Sequence, residues 1–155
     1  SDCRGQQAKV ERVGARRRRH LEHVVPSRAR RAEVLGAVPP GWPPLVPPPE
    51  SQGWQVPAVS WLLDHCPPDY RLYPAWRRHP IALAWFTVRH LDAQLDAMRS
   101  AYREVRVDLV DDIGPEGVAQ VLADLECEGV RLLSARRAAG LLLDALRGLD
   151  FVPKL

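Results

Sequence analysis

The chain has 155 residues, 22 Lys+Arg against 19 Asp+Glu, and an apolar fraction of 46%. That is one domain's worth of chain with enough apolar material for a core, and it contains no apolar run near the roughly 18 residues a membrane span needs. The net charge of +3 hides an imbalance: residues 1–31 carry ten Arg/Lys against three Asp/Glu, a net of +7, and the remainder carries twelve against sixteen, a net of −4.

Composition also suggests a setting. Lys9 and Lys154 are the only lysines, and asparagine is absent. This bias is that of a GC-rich genome, and it predicts a soluble bacterial protein. No apolar stretch follows the basic start, so no secretory signal is expected. Cys3, Cys66 and Cys127 are odd in number and far apart. That argues against a disulfide framework or a structural zinc site, and free thiols fit a cytoplasmic location.

Residues 1–31 form a basic arm that includes Arg16, Arg17, Arg18 and Arg19. With few large apolar residues it is expected to be disordered alone. Its charge suits weak contact with nucleic acid, while a solvated tail, or sequence from upstream of the natural start, is the favoured reading. Residues 32–56 follow as a segment rich in proline and tryptophan, with a possible helical turn at 32–35 and Gly-Trp repeated at Gly41-Trp42 and Gly53-Trp54. Proline fixes φ and lacks an N–H, so an extended, partly polyproline II path is expected. Its tryptophans are expected to dock on the helices; the competing reading is a ligand for a proline-binding module.

Residues 57–155 are expected to be helical. Pro57 opens a short helix over 57–66 whose apolar face is Val59, Leu62 and Leu63, and Pro67-Pro68 ends it. Residues 69–76 read as a linker or a helical turn. Two long helices follow, over 80–111 and 115–148. In the first, Val88, Leu91, Leu95, Met98, Tyr102, Val105 and Leu109 recur at alternating steps of three and four. In the second, Val118, Leu122, Leu125, Leu132, Ala139, Leu143 and Leu146 do the same, with Gly129 and Arg136 as poor positions. These are heptad seams, and the short reversal between them predicts an antiparallel, coiled-coil-like hairpin. A turn centred near Ile113 puts Tyr102 opposite Leu125, Met98 opposite Gly129, and Val88 opposite Ala139. Gly114 is expected to precede the second helix and Pro115 to open it, with Ile113 and Val118 as a hydrophobic staple. Gly148 is expected as its C-terminal cap, with Leu149, Phe151 and Val152 folding back on the open end.

Around Pro67-Pro68-Asp69-Tyr70-Arg71, Arg77-Arg78-His79-Pro80 and Arg136-Arg137-Ala138 the chain resembles a group of small actinobacterial proteins. The resemblance covers roughly residues 28–155. It implies no activity and lends no functional residues.

Candidate chemistry is sparse. The five histidines offer no i, i+4 pair, and neither a nucleophile elbow nor a phosphate-binding loop occurs. No catalytic residue, metal or cofactor is therefore expected. Asp108, Asp111, Asp112 and Glu116 cluster at the reversal, where helix-end electrostatics and solvation account for them better than a bound cation. Arg71, Arg77 and Arg78 precede a helix N-terminus and are candidates for anion or nucleic-acid contact, unless Asp64 or Asp69 pairs with them. The functional expectation is a non-enzymatic protein–protein interaction module acting through the hairpin, with another protein or itself as partner. The surplus apolar residues Val121, Val130, Leu133, Leu141 and Leu142 favour a homodimer. A nucleic-acid-associated protein using the arm and the Arg77/Arg78 region is the alternative.

Overall fold

The computed structural model divides the chain into two units, Ser1–Val34 and Leu35–Leu155. It describes residues 38–149, all within the second. The arm and the possible turn at 32–35 lie outside the described residues, as do Phe151 and Val152.

The described chain is all-α. A short helix α1 (Gln55–Asp64) leads through a 3₁₀ turn (Pro68–Leu72) and a five-residue helix α2 (Pro74–Arg78) into the long helix α3 (Pro80–Asp108), and α4 (Val110–Leu146) returns alongside it. At 1.5 Å per residue α3 is roughly 43 Å long. α1 starts two residues before the expected Pro57. A proline in the first turn costs no hydrogen bond there, because the first N–H groups of a helix have no internal partner.

The reversal is more elaborate than a simple loop. The Leu109 N–H bonds to the Val105 carbonyl at 3.1 Å, and residues 110–113 then make one helical turn. Gly114 breaks the path at φ 69°, ψ 171°, and Pro115 restarts the helix. A positive φ suits glycine, and the proline's fixed φ and missing N–H suit a helix start. Ile113 leans over Gly117, where an added methyl would lie 3.0 Å from the Ile113 Cβ. At the far end the Leu149 N–H bonds to the Asp144 carbonyl and the Gly148 N–H to the Ala145 carbonyl, both at 3.0 Å, with Gly148 at φ 73°. That pair of bonds is a Schellman cap. Leu149 does not fold back: it stays exposed.

The helices pair close to the expected register. Tyr102 Oη donates to Glu126 Oε1 at 2.8 Å, and Arg136 Nε donates to Asp92 Oδ1 at 3.0 Å. Both contacts fall one residue from the predicted pairing. Arg136 is accommodated on the seam because Asp92 of α3 pairs with it across the hairpin.

The proline-rich segment is not extended. The Trp42 N–H bonds to the Pro39 carbonyl, Val46 to Pro43, Ser51 to Pro48, and Trp54 to Ser51, each between residues three apart. The first three of these turns begin on a Pro-Pro pair. The leading prolines Pro39, Pro43 and Pro48 are buried. The second proline takes the turn position that wants φ near −65°. Gly41 at φ 94° and Gly53 at φ 73° occupy the next position of their turns. Each therefore delivers the following tryptophan inward. Trp42 and Trp54 are buried with ring centroids 5.9 Å apart, and Trp42 Nε1 donates to the Val46 carbonyl at 2.8 Å. The core at this end joins that belt, α1, the start of α3 and the end of α4. A smaller cluster of Val105, Val118 and Leu122, with Tyr102, Val110 and Val121 against it, holds the distal end.

Candidate interaction surfaces

The three candidate arginines of the body separate in the structure. Arg71 is tied to the end of α1, its guanidinium paired with Asp64 and donating to the Leu63 carbonyl at 3.3 Å. It is a tether between α1 and the 3₁₀ turn. Arg77 and Arg78 are exposed and lie in the last turn of α2, where cations are favourably placed, just before Pro80 opens α3. Arg16, Arg17, Arg18 and Arg19 lie outside the described residues.

Around Arg77 and Arg78 is an aromatic assembly that sequence reading did not resolve. Tyr70 stacks on Trp76 at 5.6 Å and tilts against Phe86 at 5.2 Å. That cluster positions the α2 turn on α3. Trp85 is exposed, and the Arg89 guanidinium lies 3.6 Å above its ring, a close cation–π pair. Leu72, Tyr73 and Ile81 are exposed as well. From residue 70 to residue 91 the sequence has four arginines and no Asp or Glu. The start of α3 and the segment leading into it are thus basic and apolar at once.

The distal end has the opposite charge. From 107 to 130 there are seven Asp/Glu and no Lys or Arg. Asp108, Asp111, Asp112 and Glu116 are exposed there beside the exposed apolar residues Val107, Leu109 and Ile113. Among the described residues no group of three or more His, Cys, Asp or Glu is arranged to hold a metal ion.

A shallow cleft of about 200 Å³ lies beside the α1 C-terminus, lined by Asp64, His65, Cys66, His90, Gln94 and Arg131 among others. Its polar groups are engaged internally. Thr87 Oγ1 donates to the Leu83 carbonyl at 2.8 Å, so it accepts from the Cys66 thiol, 3.2 Å away. Burial pushes the Cys66 thiol up from its ordinary value, against smaller lowering influences from the Thr87 bond and the Arg71 charge. Cys66 is thus a protonated core residue. His65 Nδ1 donates to the Trp61 carbonyl at 2.9 Å, and the Gln94 amide bonds to His90 Nε2 at 2.6 Å. The expectation of free thiols holds at Cys66 and fails at Cys127, which is disulfide-bonded.

Of the five apolar residues expected to be surplus, Leu142 is fully buried, and Leu141 and Val121 pack against the two cores. Val130 and Leu133 remain exposed on α4. No helix among the described residues is long and apolar enough to cross a membrane. Comparison of the chain with family models, curated proteins and solved structures finds no match.

Proposed function

We propose that this chain is a non-enzymatic protein–protein interaction module that works through its helical hairpin. The observation that carries the reading is the bareness of the hairpin's outer half. Among the described residues its small core is drawn from α3 and α4, yet Val107, Leu109, Ile113 and Val130 face solvent along it. A two-helix element buries little of its own apolar surface, and covering that surface is what a partner would supply. A cytoplasmic setting belongs to the same proposal. The free Cys66 thiol supports it, and the bonded Cys127 weighs against it.

The test is affinity capture with two altered chains. Removing residues 1–31 should leave capture of the partner intact, and Val107→Asp with Val130→Asp should abolish it. Capture that depends on the arm and ignores the hairpin would overturn the proposal. That second result would favour the other reading, nucleic-acid association through residues 1–31 and the Arg77/Arg78 region. The exposed, uncompensated arginines and the Trp85 ring favour it, since base stacking and phosphate contact use such groups. Under that reading, binding to an oligonucleotide should fall steeply with salt.

A further inference from the structure

We infer that the partner of the hairpin is a second copy of this chain, bound antiparallel so that the acidic tip of each copy seats on the basic open end of the other. This deepens the interaction reading and rests on it.

The two ends are complementary in two independent respects. In charge, the tip presents Asp108, Asp111, Asp112 and Glu116, and the open end presents Arg77, Arg78 and Arg89. In apolar surface, the tip exposes Val107, Leu109 and Ile113, and the open end exposes Leu72, Tyr73, Ile81 and Trp85. Val107 is 78% exposed and Leu72 75%, values at which a large side chain contributes little to its own fold. Exposed apolar groups ringed by charge of one sign mark interaction sites, and opposite charge on the facing surface selects among partners. Arg103 and Arg106 stand one turn back from the tip on α3, with Arg106 5.6 Å over the Tyr102 ring. They bound the acidic region on that side.

Val107 at the tip and Arg89 at the open end also share a face of α3. Eighteen residues make five full helical turns, so Val107 falls on the same face of α3 as Arg89, about 27 Å along it. Arg103 relates to Trp85 in the same way. Two rods with unlike ends on one face satisfy both ends at once when they lie antiparallel, whereas a head-to-tail chain leaves one end of each terminal copy unmatched. Closed two-fold pairs are the commonest outcome of such self-complementarity.

The experiment is a charge swap on the full chain, read by sedimentation equilibrium, with circular dichroism confirming unchanged helix content. The base variant carries Arg77→Glu, Arg78→Glu and Arg89→Glu. The tip variant carries Asp108→Arg, Asp111→Arg and Asp112→Arg. The wild type should be dimeric at low salt, with a dissociation constant that rises at least about tenfold as salt screens the contacts. Each variant alone should be monomeric, because every contact then sets like charges together. Mixed one to one, the two variants should recover the dimer, since both contacts are again opposite in sign. A monomeric wild type at about 100 μM and low salt, a dissociation constant in the millimolar range, or a mixture that stays monomeric would overturn the inference. So would growth beyond two copies. A tip variant that loses association while the base variant keeps it would assign the tip to another cation, such as residues 1–31, and would also overturn it. A monomeric wild type whose hairpin still captures another protein removes the second copy as partner and leaves the wider reading standing.

Discussion

The same two helices run through both ends of the hairpin, and the ends are held by very different amounts of material. At the open end α3 and α4 are covered by α1 and the proline turns, and Leu62, Leu63, Leu83, Leu91, Leu132 and Leu142 are fully buried. At the distal end the core among the described residues is Val105, Val118 and Leu122, all slightly exposed, drawn from α3 and α4. A fully buried leucine contributes roughly 1.5–3 kcal/mol relative to an exposed one. Among the described residues the open end therefore holds most of the buried apolar core, and the distal end holds little. A hairpin built this way is free to use its far half for contact, because little of the fold depends on that half being optimally packed.

The largest effects should separate the two ends. Leu142→Ala removes a fully buried side chain of the open-end core and should cost about 2–5 kcal/mol, seen as a lower midpoint of the whole cooperative transition in denaturant. Leu122→Ala should cost about 2 kcal/mol and act locally. Hydrogen exchange should then quicken around 105–122 while amides of α1 keep their protection. Equal global losses from the two substitutions would mean the distal end is as integral as the open one.

Next in size is the belt. Gly41 has φ 94°, and an added methyl would sit 2.7 Å from Arg137 Nε, itself 3.0 Å from the Pro40 carbonyl it bonds. Gly41→Ala combines left-handed backbone strain with displacement of that tie and should cost about 1–2 kcal/mol. Trp42 and Trp54 fluorescence should shift toward that of exposed indole. No change in either stability or emission would show that the turns merely decorate the helices.

The hairpin was legible because its signal is local: a period near 3.5 and two glycines with a proline at chain reversals need no distant information. The register came within one residue for the same reason, since a short reversal leaves little freedom. The belt was legible only in part. Its tryptophans were assigned to the core correctly, but Pro-Pro-Gly-Trp is also a turn sequence, and reading the prolines as polyproline II missed how Gly41 aims Trp42. What the sequence hid are contacts between distant residues. Arg71 with Asp64, Arg136 with Asp92 and Arg137 with Pro40 depend on how three elements rotate against one another. So does the exposure of Trp85.

A smaller effect tests the seam where the two regions meet. Gly129 stands opposite Met98 in the predicted pairing, but nothing lies within 4 Å of where its Cβ would be. The glycine therefore leaves helix propensity unused. Gly129→Ala should stabilise by roughly 0.5–1 kcal/mol and raise the melting temperature. A loss of stability would show that the helices do approach there.

The smallest effect lies one residue away. Arg131 Nε and Nη2 donate to the two Glu128 oxygens at 2.7 and 2.6 Å, within one turn of α4. The hydrogen bond from Arg131 holds the Glu128 carboxyl below its ordinary value. A carboxylate whose pKa is lowered on folding stabilises the fold above its unfolded pKa, and that contribution is lost as pH falls through the lowered value. Both side chains are substantially exposed, so solvent screens the pair, and pairs of this spacing contribute only about 0.3–0.5 kcal/mol. Glu128→Gln should accordingly lower the melting temperature at neutral pH by about one to two degrees. The gap between variant and wild type should close on acidification, and it should shrink in high salt at any pH. The pair stands at the point on α4 where the covered half gives way to the bare one. If the gap exceeds that range and persists in acid, Glu128 supports the distal arm through something other than its charge, and the arm is less dependent on the open end than its thin core implies.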